Sequence, residues 1–123
     1  MTEGCKSLIK FLKDSLSTSV YQEPVSSQAK LPYVSLSYSE SDFAVPTLQS
    51  GTIWTRDDSS YGEAYAIADE LGIAVPTQGT IVSSDKGVLW VKRGSPFTQN
   101  RLDEETNIRA VAFNLEVTAY FSK

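Results

Sequence analysis

Asp57 and Asp58 are adjacent, follow the strand-like run Thr52–Arg56 and precede a helix-like run that carries Glu63. Carboxylates grouped in this way could hold a divalent cation or serve as acid and base. The simpler reading is that acids ahead of a helix complement its dipole. Asp103, Glu104 and Glu105 pose the same choice between a metal site and a solvated loop. The chain has no histidine, which removes Ser-His-Asp and Cys-His catalysis and the commonest metal ligand. Cys5, the one cysteine, falls in a first helical turn, where a dipole can lower a thiol pKa. Without a histidine partner it reads better as a small packing residue. No Walker loop or G-x-G-x-x-G occurs, and Gly94-Ser95-Pro96 is not a nucleophile elbow. Tyr33, Tyr38, Trp54 and Trp90 could stack on bases, but basic residues are not interleaved on their strands, so packing is the better reading. These residues point away from an enzyme and imply no cofactor.

Composition supports that direction. The chain of 123 residues suits one domain, 1–123, and is 41% hydrophobic and 21% charged. Its net charge of −4 argues against nonspecific phosphate binding. No run approaches the roughly 20 apolar residues of a membrane span. The first residues make a poor signal peptide because Lys10 and Lys13 break the apolar stretch. Folding in a cytoplasm is expected, and a lone cysteine agrees with it.

The elements that must position these residues alternate between the two periods. Cys5, Leu8, Leu12 and Leu16 recur at helical spacing and predict an amphipathic helix over Glu3–Leu16, with Thr2 placed to cap it. Its polar face is thin for lipid binding. Val20-Tyr21 can begin a short strand before Pro24 breaks it. Leu31–Ser39 and Thr52–Arg56 read as strands, separated by a polar loop, Ser39–Gly51. Ser60 and Glu63 form a capping box for a helix over Tyr61–Leu71, with Gly72 placed to end it. Thr80–Ser84 and Gly87–Lys92 predict a hairpin around Asp85-Lys86-Gly87. Ser95–Asn107 reads as a second polar loop.

The last run, Asn107–Phe121, has the clearest pattern. Val111, Phe113, Leu115, Val117, Ala119 and Phe121 alternate with Asn114, Glu116, Thr118 and Tyr120, the period of a strand with one buried face. At about 3.3 Å per residue it spans roughly 50 Å, beyond the ~35 Å width of a compact chain of this size. Such a strand bends at a bulge or reaches a neighbour. The expected fold is therefore α+β: a mostly antiparallel or mixed sheet of four to six strands on two helices, in the order α-β-β-α-β-β-β, with room for one more short strand after the first helix.

The opening helix, the stretch Leu31-Pro32-Tyr33-Val34, the strand–helix unit from Ile53-Trp54-Thr55 to Glu63–Leu71, the hairpin and the long final strand together resemble the tail terminator (tail completion) proteins of long-tailed bacteriophages. The likeness covers nearly the whole chain and is one of layout. It implies a structural virion protein with no catalytic residue. Such a protein forms a hexameric ring at the head-proximal end of the tail tube, ends tube polymerisation and offers the surface that joins the head. The implied partners are further copies of itself, the tail tube protein and a neck or head-completion protein, with DNA passing an acidic lumen unbound. Assembly would take place in the host cytoplasm. Candidate subunit or partner contacts are Arg56, Asp57, Asp58, Arg93, Arg101, Asp103, Glu104, Glu105, Thr118 and Tyr120, with the two polar loops as further candidates. The alternatives are a phage neck or minor capsid protein, another α+β adaptor that binds a peptide along a sheet edge, or a small carboxylate or metal enzyme using Asp57, Asp58 and Glu63.

Overall fold

The computed structural model describes residues 2–40, 42–56, 61–101 and 108–121. Helix α1 (Glu3–Ser15) opens the chain, followed by β1 (Ser19–Gln22), β2 (Tyr33–Ser37) and β3 (Thr47–Arg56). Helix α2 (Gly62–Ala74), β4 (Thr80–Ser84), β5 (Gly87–Arg101) and β6 (Ile108–Phe121) complete it. The fold is α+β as expected, and the extra strand after α1 is present. The six strands form one mixed sheet in the order β1-β2-β3-β6-β5-β4. β1 runs parallel to β2, and the other neighbours are antiparallel. The sheet curls, and α1 packs against both edge strands, β1 and β4, while α2 lies on β3 and β6.

The helix α1 forms where its stripe predicts. Thr2 caps it by accepting a bond from the Cys5 amide at 3.3 Å, and Cys5, Leu8, Ile9 and Leu12 are buried against the sheet. Burial pushes the Cys5 thiol up from its ordinary value, the opposite of an activated nucleophile. The start of α2 differs from the capping-box reading. Tyr61 occupies the cap position without a side-chain cap bond, and Ser60 lies outside the described residues. The helix also runs past Gly72 to Ala74, because Arg93 reaches over to hold its last carbonyls.

β6 is the interior spine of the sheet. Val111, Phe113, Leu115 and Val117 are buried on the helix side, as the period-two pattern requires. Its partners are β3 on one side and β5 on the other. Its hydrogen-bonding edges are thus both taken within the protomer, which corrects the expectation that this strand could lend an edge to a neighbour. The length is absorbed by partners that are also long.

Two expected loops are strand in part. Thr47–Gly51 belongs to β3, and Ser95–Arg101 belongs to β5. In β5 the register jumps between Arg93, opposite Leu115, and Thr98, opposite Phe113. This bulge around Gly94–Phe97 bends the strand and interrupts its alternation. In β3 the buried Gln49 stands where an apolar residue would be expected. Its amide accepts from the Ser39 N–H and donates to the Ser39 carbonyl, both at 2.7 Å, so it extends the β2–β3 ladder beyond Ser37. Gly51 is required next to it. The Phe113 ring lies over Gly51, and a methyl there would sit 2.6 Å from Phe113 Cε1 and 2.8 Å from the Ser35 carbonyl oxygen.

Candidate functional site

Both helices pack on one face of the sheet, so the alternate residues of every strand point to a helix-free face. On β6 these are Ala110, Ala112, Asn114, Glu116, Thr118 and Tyr120. The register assigns their neighbours on this face. Trp90 stands opposite Thr118, Ile81 opposite Trp90, Val88 opposite Tyr120, and Lys92 and Leu48 lie on either side of Glu116.

One end of this face is apolar and open to solvent. Phe43 is 62% exposed, Ile81 59%, Leu48 51% and Val45 47%. Phe43 packs edge-on against Tyr120 at 5.9 Å between ring centres. Lys92 lies 4.5 Å over the Trp90 ring and 3.5 Å from the Glu116 carboxylate. The loop that carries Phe43 is tied down. The Ala44 N–H donates to the Ala119 carbonyl at 2.9 Å, and the Val45 N–H donates to the Asp42 carbonyl at 3.1 Å. Ala44 has φ +62°, a left-handed conformation that costs an alanine about 1–2 kcal/mol. A backbone held in this state by neighbouring bonds displays its aromatic in a fixed position, which reduces the ordering cost of any contact made there. Isolated exposed apolar side chains are ordinary on a surface, whereas a cluster marks an interaction site.

The other end is aromatic and cationic. Tyr33 pairs with Trp54 across β2 and β3 at 6.4 Å, and Tyr21 meets Tyr33 edge-on at 5.8 Å. The Trp54 indole N–H donates to Ser35 Oγ at 3.0 Å, and Ser35 donates to Glu23 Oε2 at 3.1 Å. Arg101 donates to Thr52 Oγ1 at 3.0 Å, and its guanidinium lies 5.6 Å from the Trp54 ring. Beside them the segment Ala29–Leu31 leaves a cleft of about 600 Å³, walled by Tyr33 and Trp54 and rimmed by Lys30 and Arg56.

The sequence candidates fall into distinct environments. Arg56 and Arg101 come together at the cationic end. Tyr120 sits at the apolar end. Thr118 is only 3% exposed, which corrects its reading as a solvent-facing position: β6 is interior, with Trp90 on one flank and the Phe43 loop along the other. Arg93 is already engaged. Its Nε donates to the Val75 carbonyl at 2.8 Å and its Nη2 to the Gly72 carbonyl at 2.9 Å, with the guanidinium 4.7 Å over Phe97. It neutralises the C-terminal end of α2. Asp57, Asp58, Asp103, Glu104 and Glu105 lie outside the described residues. Among the described residues no three His, Cys, Asp or Glu side chains converge as a metal site would require, and no helix is long and apolar enough to cross a membrane.

Sequence reasoning included Phe43, Val45 and Leu48 only as part of the candidate loop Ser39–Gly51, without singling them out, and missed Ile81. The signal was present in Phe43-Ala44-Val45-Pro46, an apolar run inside an otherwise polar loop. No protein-family model matches the chain, and a search of curated proteins finds none similar to it.

Proposed function

We propose that the chain is a structural virion protein that assembles as a ring on the head-proximal end of a phage tail tube. There it ends tube polymerisation and forms the surface to which the head is joined. The observation that carries this reading is the apolar end of the helix-free face, where Leu48, Ile81 and Tyr120 of the sheet and Phe43 and Val45 of the adjoining loop are exposed. A surface of this kind is stabilised by being covered, and repeated copies of one chain cover it economically. The layout of helix, curled sheet and long hairpin supports the station in the particle. The net charge of −4 suits a lumen that repels DNA over about a Debye length rather than binding it.

The deciding assay polymerises tail tube protein in the presence and absence of this chain. Tubes should stop lengthening, with the protein confined to one end. Unchanged tube growth, with the protein left in solution, would argue against the reading.

A further inference from the structure

The two ends of the helix-free face are chemically complementary and too far apart to meet within one protomer. Phe43 packs on Tyr120, whereas Trp54 stands beside Ala110. The ten steps along β6 from Ala110 to Tyr120 separate the two ends by about 33 Å. Phe43 therefore cannot fill the cleft of its own chain.

We propose that Phe43 of one copy seats in the cleft that the Ala29–Leu31 segment forms beside Tyr33 and Trp54 of a second copy, with Glu40 and Asp42 beside Lys30 and Arg56. This contact rests on the ring reading above and assigns its subunit interface. Four observations support it. The cleft, at about 600 Å³, falls within the roughly 300–1,000 Å³ that hold compact ligands, enough for an aromatic side chain and part of its backbone. Its walls are apolar and aromatic, with Leu31 and Ile108 beside Tyr33 and Trp54, a lining against which an aromatic ring packs well. The donor loop carries two exposed acids, Glu40 and Asp42, while the cleft rim carries two exposed cations, Lys30 and Arg56. Finally, the donor is held in place by the Ala44–Ala119 bond, so little freedom is lost on docking.

The division of labour follows from exposure. Rim charges in water contribute little affinity and set register and approach instead. The desolvated aromatic anchor carries the contact. Because donor and acceptor are different surfaces, association is head-to-tail, the type of contact that builds a ring when its rotation closes and a filament when it does not.

The test uses the full chain and follows oligomer size by sedimentation velocity, with fold checked by circular dichroism. Phe43→Ser removes the donor at an exposed position. Lys30→Glu with Arg56→Glu reverses the acceptor rim. Both variants should stay folded; Phe43→Ser should need roughly thirtyfold higher concentration to assemble, the change expected for a central aromatic anchor, and the reversed rim should also weaken assembly, because it sets like charges face to face. An equimolar mixture of the two should stop at heterodimers, because only one donor–acceptor pair is intact. Adding Glu40→Lys and Asp42→Lys to the reversed rim should restore assembly. If wild type assembles and Phe43→Ser assembles equally well, the proposed contact is wrong while the ring reading stands. If wild type stays monomeric even with tail tubes present, the ring reading fails and the contact with it.

Discussion

Gly51→Ala tests the core beneath the site by the sign of its effect. In an unstrained strand interior, alanine is favoured over glycine by roughly 0.5–1 kcal/mol, because glycine loses more freedom on folding. Position 51 is not unstrained. The new methyl would meet the Phe113 ring and the Ser35 carbonyl oxygen within 2.8 Å. Phe113 is fully buried, and the carbonyl is backbone of β2, so neither can swing aside. Overpacking of a tight core costs about 1–3 kcal/mol. With two rigid neighbours the upper part of that range applies, leaving a net loss of about 2 kcal/mol once the backbone term is subtracted. At a urea slope of about 1–3 kcal/mol/M the unfolding midpoint falls by roughly 1 M. Phe113→Leu removes the ring overlap but not the carbonyl. The double variant should therefore be less destabilised than the sum of the singles, with a coupling of about 1 kcal/mol, and still weaker than wild type. A Gly51→Ala protein as stable as wild type or more so would refute the packing of Phe113 on this strand.

Three further outcomes follow from the geometry. Thr118→Asp places a charge at a position only 3% exposed and should destabilise the protomer by several kcal/mol in chemical denaturation, whereas Thr118→Val changes stability by less than about 1 kcal/mol. Arg93→Met keeps an apolar stem of similar length but removes the guanidinium from over Phe97 and frees the carbonyls of Gly72 and Val75; stability should fall by about 1–2 kcal/mol, with faster amide exchange in the last turn of α2. Burial first, then the Glu40 carboxylate and Cys5, pushes the Tyr38 hydroxyl from 10.0 up to about 12. The folded state thus holds that proton more tightly than the unfolded chain, so stability should be unaffected below pH 10 and decline as pH rises toward 12, a decline that Tyr38→Phe should reduce.

The parts of the fold legible in the sequence are those where one physical rule acts alone. The stripe of Cys5, Leu8, Leu12 and Leu16 and the alternation from Val111 to Val117 both report a single buried face. The parts that were not legible involve a second rule. β5 continues beyond Gly94-Ser95-Pro96 because a bulge resets its register, and the residues of a bulge resemble those of a loop. The start of β3 looks polar because Gln49 is buried through two bonds to Ser39 rather than through apolar packing. α2 outruns Gly72 because Arg93, 21 residues further along the sequence, supplies the missing cap. The site was half legible. Arg56, Arg101 and Tyr120 stand on the helix-free face, but Phe43 and Lys30 lie on connections between strands, and their position beside that face depends on how the flanking strands pair, which a local run such as Phe43-Ala44-Val45-Pro46 does not reveal. Thr118 shows the limit of alternation: it has the parity of an outward residue and is buried because its strand is central.

Native mass spectrometry of the purified protein, at rising concentration and with tail tubes added, tests the ring directly. A single closed oligomer, hexameric if the resemblance to tail terminator proteins holds, is the expected result, and it should be lost in Phe43→Ser while the protomer stays folded. A protein that remains monomeric throughout, with tube ends bare, would contradict it.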